Sequence, residues 1–291
     1  MLSGVYTALV TPFNEDGSID EGALRNLVDA QIDAGVNGLV PMGTTGESPT
    51  VSHEENIRVI EVVAEQAAGR TTIIAGTGSN ATAEAVRMTQ LAHEVGATAT
   101  LQVTPYYNKP TQEGLYRHFS TIADATELPV LVYNIPGRTA RNIENATMLR
   151  LATHERIVGV KEASGDMAQV MELVSVRPDG FRVLSGDDNL VLPIMALGGE
   201  GVVSVASNIA PRLMVRLVNA VLENRLAEAR ELHYRLLPLF KAVFVQTNPI
   251  PIKYALATQG MIRESYRLPL VGLDESDKRK VDAILDQVKP E

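Results

Sequence analysis

Lys161 ends the apolar run Ile157-Val158-Gly159-Val160, and the chain turns polar straight after it, at Glu162-Ala163-Ser164-Gly165-Asp166. A short β-branched run bounded by Gly and polar residues reads as a buried strand. A lysine there keeps its stem in apolar surroundings, where desolvation disfavours the ammonium and lowers the amine pKa. At an ordinary pKa only roughly 0.04% of a lysine is neutral at pH 7, so this shift decides whether the amine can be a nucleophile. The alternative for a lone strand lysine is a snorkelling stem with its charge in water. Four other clusters have chemical content: Gly43-Thr44-Thr45-Gly46-Glu47, Pro105-Tyr106-Tyr107-Asn108-Lys109, Tyr133-Asn134-Ile135-Pro136-Gly137-Arg138-Thr139 and Ser185-Gly186-Asp187-Asp188. Taken singly, Thr44 and Thr45 read as turn residues, Tyr107 and Tyr133 as packing aromatics, and Arg138 as a loop charge.

The elements that would position these residues follow a regular order. Eight short apolar runs recur, at 5–10, 38–42, 71–76, 99–104, 129–134, 157–161, 181–186 and 201–205. Helical patterns lie between most of them. Leu24, Leu27, Val28 and Ile32 share one helical face, as do Ile57, Ile60, Val63, Ala64 and Ala67. Ser52-His53-Glu54-Glu55 reads as a capping box opening the second helix. Asn80 is expected to cap the third, which carries Ala85, Met88, Leu91 and Val95. Strand–helix alternation implies a parallel sheet with right-handed crossovers, and eight units imply an α/β fold, a closed (β/α)₈ TIM barrel. Strand signals stop after about residue 208. Helices are predicted over 211–222, 225–245, 249–259 and 277–288, the last three forming a C-terminal helical appendage. The expected division is a catalytic barrel over 1–224 and a helical domain over 225–291. In such a barrel chemistry sits at the C-terminal strand ends. All the clusters fall there, and that convergence is what their separate explanations leave unexplained.

Composition narrows the chemistry. The 291 residues are 45% hydrophobic and 21% charged, which fits an ordinary globular chain. A net charge of -9 argues against a nucleic-acid or anionic-membrane partner. With no cysteine, disulfides, thiol catalysis and thiolate metal sites are excluded. The N-terminus shows no basic stretch followed by an apolar one, and no apolar run approaches the roughly 18 residues of a spanning helix. A soluble cytoplasmic protein is expected. His53, His93, His118, His154 and His233 make no ligand pair, so no metal or other cofactor is expected. Asp187-Asp188 reads as a helix N-terminus rather than a magnesium site. Gly76-Thr77-Gly78-Ser79-Asn80-Ala81 is a partial dinucleotide fingerprint, but the next strand run, Leu101-Gln102-Val103-Thr104, supplies no acidic residue. Its glycines are assigned to a tight turn. Gly198-Gly199-Glu200-Gly201 raises the question of a phosphate loop, or of a close backbone approach to a small substrate.

The motifs resemble those of the pyruvate-dependent class I aldolase family, which includes dipicolinate-pathway synthases and N-acetylneuraminate lyases. The resemblance runs strongly from Tyr6 to about Lys253 and more weakly beyond. Gly43-Thr44-Thr45-Gly46-Glu47, Tyr133-Asn134-Ile135-Pro136 and Gly159-Val160-Lys161-Glu162 are similar to the family at large. Tyr106-Tyr107-Asn108-Lys109-Pro110 and Gly137-Arg138-Thr139 resemble the synthases, since the lyases lack an arginine matching Arg138. The resemblance implies a Schiff-base condensation of pyruvate with L-aspartate 4-semialdehyde to 4-hydroxy-tetrahydrodipicolinate, the committed step of lysine and diaminopimelate biosynthesis. It implies an imine on Lys161, proton shuttling by Tyr133, and Thr44 linking Tyr133 to Tyr107 of a neighbouring subunit. The pyruvate carboxylate would rest on the amides of Thr44 and Thr45, Arg138 would hold the second substrate, and Gly186 and Val203 would line the pocket through their backbones. A homotetramer, or a dimer, is implied. So is a feedback site for L-lysine at Ser48, His53, Asn56, Asn80, Glu84 and Tyr106, although Asn56 stands where lysine-sensitive bacterial members usually have histidine. The rival readings are cleavage of another aldehyde adduct such as N-acetylneuraminate, a ligand-sensing barrel without activity, and a metal-dependent hydrolase. Arg138, the complete set of Lys161, Tyr133, Thr44 and Tyr107, and the missing metal ligands weigh against them in turn.

Overall fold

The computed structural model describes residues 2–289. Eight strands form a closed barrel in sequence order, all neighbours parallel: β1 Gly4–Ala8, β2 Gly38–Val40, β3 Thr72–Gly76, β4 Ala99–Val103, β5 Val130–Asn134, β6 Ile157–Glu162, β7 Arg182–Ser185 and β8 Gly201–Ser204. Each coincides with one of the eight predicted runs. The second run is cut short because Met42 enters the left-handed region, φ 57°, and turns the chain out of the sheet.

The helices are α1 Glu21–Asp33, α2 His53–Ala67, α3 Thr82–Glu94, α4 Gln112–Asp124, the single turn α5 Pro136–Thr139, α6 Asn145–Leu151, α7 Met167–Val176, α8 Val191–Ala196 and α9 Pro211–Leu222. Then come α10 Leu226–Ala242, α11 Ile250–Thr258 and α12 Glu275–Val288, the predicted C-terminal helices. The capping box at the start of α2 is present in both directions, Glu55 N to Ser52 Oγ and Ser52 N to Glu55 Oε2. Asn80 does not cap α3. The N-cap is Ala81, and the Asn80 amide instead donates to the carbonyl of Tyr106 at 3.3 Å. The loop after β4 outcompetes the helix end for that side chain.

Alternation along the strands sorts the core into layers. Tyr6, Ala8, Val40, Ile74, Leu101, Leu131, Tyr133, Leu184 and Val203 fill the barrel, while the intervening residues pack outward against helices. Gly201 serves closure, not substrate approach. A Cβ there would lie 2.0 Å from the Gly4 carbonyl oxygen across the β1–β8 seam. Gly76 and Gly78 likewise answer close backbone approach rather than a left-handed turn, with a Cβ 2.2 Å from Met42 O and 2.4 Å from Val103 N. The apolar cluster around β1 and α9 continues without a break through Leu236, Ile252, Val281 and Val288, so the C-terminal helices share the barrel's outer core. No helix among the described residues is long and apolar enough to cross a membrane.

Candidate active site

Parallel pairing sets Tyr133 on β5 directly opposite Lys161 on β6. Equal phase in adjacent strands turns both side chains to the barrel interior. The Lys161 amine consequently sits 4.1 Å from the centroid of the Tyr133 ring, with the two residues 6% and 5% exposed. Burial is the main influence on both. It lowers the Lys161 pKa to about 8, although Asp187 and Asp188 pull the other way. It raises the Tyr133 phenol, with Asp187 adding to the rise while Arg138 and the hydrogen bond to Thr44 oppose it. At pH 7 roughly a tenth of an amine with that pKa is neutral, far more than an exposed lysine supplies. Gly186 makes room beside it: a Cβ there would come 3.1 Å from Lys161 Cε and 2.7 Å from Ala163 Cβ.

Thr44 and Thr45 ride on the turn after β2. Thr45 is buried, and its hydroxyl accepts from Asn248 Nδ2 at 3.0 Å. Arg138, in α5 after β5, donates to the Asn248 carbonyl at 3.4 Å and acts electrostatically on Lys161, Tyr133 and Asp187. Val203 is buried in the barrel layer beside Tyr133. Asp187 and Asp188 do open a short helical turn, Asp188–Leu190. The Asp188 carboxylate is turned elsewhere, accepting from the amides of Val205 and Ala206 at 3.0 and 2.8 Å, and burial raises its pKa to about 6. It thereby ties the end of β7 to the end of β8. No cluster of potential metal ligands occurs among the described residues.

A cavity of about 490 Å³ opens at this rim. Thr44, Tyr133 and Arg138 line it, and so do Ser48, His53, Asn56, Glu84 and Tyr106. Within one chain the two expected sites therefore share one space. Glu84 is already engaged, 2.8 Å from His53 Nε2 and also accepting from Ser79 Oγ. Asn56 Nδ2 donates to Ser48 Oγ at 3.3 Å, and its buried Oδ1 has no hydrogen-bond partner. Lys161 is not part of that lining and lies buried against Tyr133, whereas Tyr107 is turned to solvent, 90% exposed on a backbone with φ 71°.

Sequence reasoning missed Asn248, the Asp188 link and the partner of Glu47. Asn248 lies 203 residues from Thr45, and the only local signal, Asn248-Pro249-Ile250-Pro251, marks a turn and a helix start. Nothing in it points to the rim.

A closed eight-stranded barrel with a desolvated lysine on β6 and a tyrosine facing its amine is the frame of an α/β-barrel lyase. The sequence profile of the Dihydrodipicolinate synthetase family matches residues 1–288, and the chain belongs to that family. It is 52% identical to the 4-hydroxy-tetrahydrodipicolinate synthase of Chlorobium phaeobacteroides (strain BS1), over 96% of this chain and 95% of that one. Among solved structures it resembles dihydrodipicolinate synthase from Aquifex aeolicus, with a TM-score of 0.98, 47% identity and 99% of both chains covered. It also resembles the chloride-inhibited enzyme from Acinetobacter baumannii complexed with pyruvate, with a TM-score of 0.98, 41% identity and 100% of both chains covered. The enzyme from Cyanidioschyzon merolae with lysine bound superposes with a TM-score of 0.97, 39% identity and 99% of both chains covered.

Proposed function

We propose that this protein condenses pyruvate with L-aspartate 4-semialdehyde through an imine on Lys161, giving 4-hydroxy-tetrahydrodipicolinate for lysine and diaminopimelate biosynthesis. The observation that carries the reading is the buried Lys161 amine, its pKa near 8, held 4.1 Å over the Tyr133 ring. The neutral amine attacks the pyruvate ketone and forms a carbinolamine. Tyr133 delivers the proton on which water leaves and afterwards takes part in removing the methyl proton that yields the enamine. The enamine carbon then attacks the semialdehyde carbonyl, which regenerates the Lys161 imine, and the amine of the second substrate displaces Lys161 from that imine as the ring closes. Amides of the Thr44–Thr45 turn suit the pyruvate carboxylate, and the Arg138 guanidinium suits the carboxylate of the second substrate. Gly186 leaves space for the imine carbon beside Lys161. The covalent imine is the only auxiliary group in this scheme. The pyruvate complex of the Acinetobacter relative supports the first substrate.

A coupled assay with pyruvate and the semialdehyde, run beside N-acetylneuraminate, tests the substrate pair. Turnover with the first and none with the second is expected; the reverse would assign the chain to the lyases. In the same assay Arg138→Lys is expected to retain imine formation while condensation falls roughly tenfold or more. It keeps the charge and loses the bidentate fork, a loss on the order of 1.5–3 kcal/mol. Unchanged condensation kinetics would remove Arg138 from the site.

The exposed Tyr107 supports a site shared between subunits of a homodimer or homotetramer. A tyrosine 90% exposed at the mouth of a catalytic rim is well placed to be inserted into a neighbour. Mixing Tyr107→Phe protein with Lys161→Ala protein under subunit exchange should restore activity, because each hybrid pair contains one complete site. Failure of complementation despite demonstrated exchange would argue that Tyr107 serves its own chain or none.

L-Lysine is a fitting inhibitor at the outer end of the cavity. Glu84 offers a carboxylate to its ammonium, with His53, Asn80 and Tyr106 around it. The lysine-bound relative supports L-lysine as a ligand. Asn56 is smaller than histidine and cannot carry its charge, so binding should be weaker than where histidine stands. Calorimetry with and without pyruvate should show heat at millimolar lysine and a reciprocal change in pyruvate affinity. Glu84→Ala should abolish both; no heat in the unaltered protein would mean that Asn56 has closed the site.

A further inference from the structure

Two buried charges stand outside the cavity lining and outside every role described above. The Glu47 and Lys253 side chains are 0% exposed, and Lys253 Nζ donates to Glu47 Oε1. The ammonium also lies 4.3 Å from the ring centroid of Phe13 and 5.3 Å from that of Tyr266. The second Glu47 oxygen accepts from Arg267 N at 3.4 Å. A pair of this kind is a weak source of stability. Taking both charges out of water costs about what their attraction returns, and well-packed apolar residues often do as well. Burial lowers the Lys253 pKa, and Glu47 opposes the shift.

The position of the pair is more informative than its energy. Glu47 closes the turn that carries Thr44 and Thr45, and it does so at φ 57°, a left-handed conformation that a non-glycine residue adopts only under constraint. Inside the turn, Gly46 N and Glu47 N donate to Gly43 O and Thr44 O at 3.1 Å each, and Thr11 Oγ1 holds Gly46 O at 2.7 Å. Lys253 comes from α11. Asn248, just before that helix, holds Thr45 through its side chain and Arg138 through its carbonyl. The α11 segment thus grips the turn at Thr45 and at Glu47, and grips the candidate substrate arginine as well. Glu47 and Lys253 touch none of the cavity surface, so any effect they have on chemistry passes through the turn.

We propose that the Glu47–Lys253 pair is a positioning device that pins the Thr44–Thr45 turn to α11, so that Thr44 stays aligned with the Tyr133 hydroxyl. The C-terminal helices thereby set the geometry of the proton relay. The proposal rests on the Lys161–Tyr133 reading given above. Two variants separate positioning from simple stability. Glu47→Asp keeps the charge and shortens the reach by one methylene. The double variant Glu47→Gln with Lys253→Met removes both charges together and leaves neither unpaired.

Each is assayed as the full chain for melting temperature, kcat, pyruvate KM and the solvent deuterium isotope effect on kcat. In folded variants kcat should fall on the order of tenfold to a hundredfold, the scale of a misplaced catalytic group. The isotope effect should rise, because proton transfer through a misaligned Thr44–Tyr133 pair becomes slower than other steps, and borohydride with pyruvate should still label Lys161. Unaltered kcat and isotope effect in either folded variant would overturn the proposal. So would a fall in kcat that tracks the folded fraction with KM and isotope effect unchanged, since that is the signature of a purely structural pair. Should the double variant fail to fold, Glu47→Asp decides alone on the same readouts. Lack of turnover by the unaltered protein would instead count against the condensation reading.

Discussion

Borohydride added with pyruvate is expected to leave a stable reduced adduct on Lys161, and Lys161→Ala is expected to lose turnover by roughly 10⁴-fold or more, the scale at which removing a catalytic nucleophile acts. Peptide mapping reads the site of the label. The exposed Lys109 and the buried, paired Lys253 are the internal controls, and a label on either would sink the assignment. A pH signature should accompany the adduct. Burial lowers the Lys161 pKa to about 8, and only the neutral amine attacks. The rate of imine formation should therefore rise with pH, about tenfold per unit on the acid side, and level off above about pH 8. A limb that kept rising toward pH 10 would mean that the amine is solvated and that the lysine snorkels with its charge in water.

Tyr133→Phe should be the next most damaging single change, lowering kcat by roughly 10²–10⁴-fold, the range for loss of a general acid–base group. Phenylalanine keeps the ring on which the Lys161 amine rests at 4.1 Å, so the packing of the barrel layer and the lowered lysine pKa should survive. What disappears is the hydroxyl hydrogen-bonded to Thr44. The expected pattern is a large fall in kcat, a small change in pyruvate KM, and slow but eventual borohydride labelling of Lys161. Near-normal turnover in a folded variant would show that the proton moves by another route, with Asp187 a candidate. Its carboxyl is raised by burial and felt electrostatically by both Lys161 and Tyr133.

Much of the barrel was legible because its signals are local. Each strand run, such as 157–161 or 201–205, is a short apolar stretch ended by Gly or polar residues, and those patterns depend only on neighbours in the chain. The capping box at Ser52 and Glu55 is also local, three residues end to end, and it formed as read. Asn80 was misread by the same logic. Its helix-capping potential was real, but the carbonyl of Tyr106 competes for its amide from 26 residues away. The glycines at 76 and 78 serve close approach rather than the expected tight turn for a related reason, since what forbids a Cβ there is backbone from another strand or loop.

By itself the sequence determined the eightfold strand–helix order, the three C-terminal helices, and the placing of Lys161, Tyr133, Thr44 and Arg138 at strand ends that a closed barrel must bring to one rim. Strand periodicity also dictated that Tyr133 and Lys161 share the interior face, once β5 and β6 pair in register. Only the tertiary structure decided how strongly the lysine is desolvated, because that depends on the rings and carboxylates that close over it. Only it merged the catalytic and lysine-binding candidates into one cavity and left Tyr107 facing outward. Only it revealed that Asn248 and Lys253 reach back 203 and 206 residues to hold the turn that carries Thr44 and Thr45. The reason is the same throughout. Hydrophobic periodicity is written within a few residues, whereas burial, charge pairing and backbone approach are set by partners that only the closed barrel brings together.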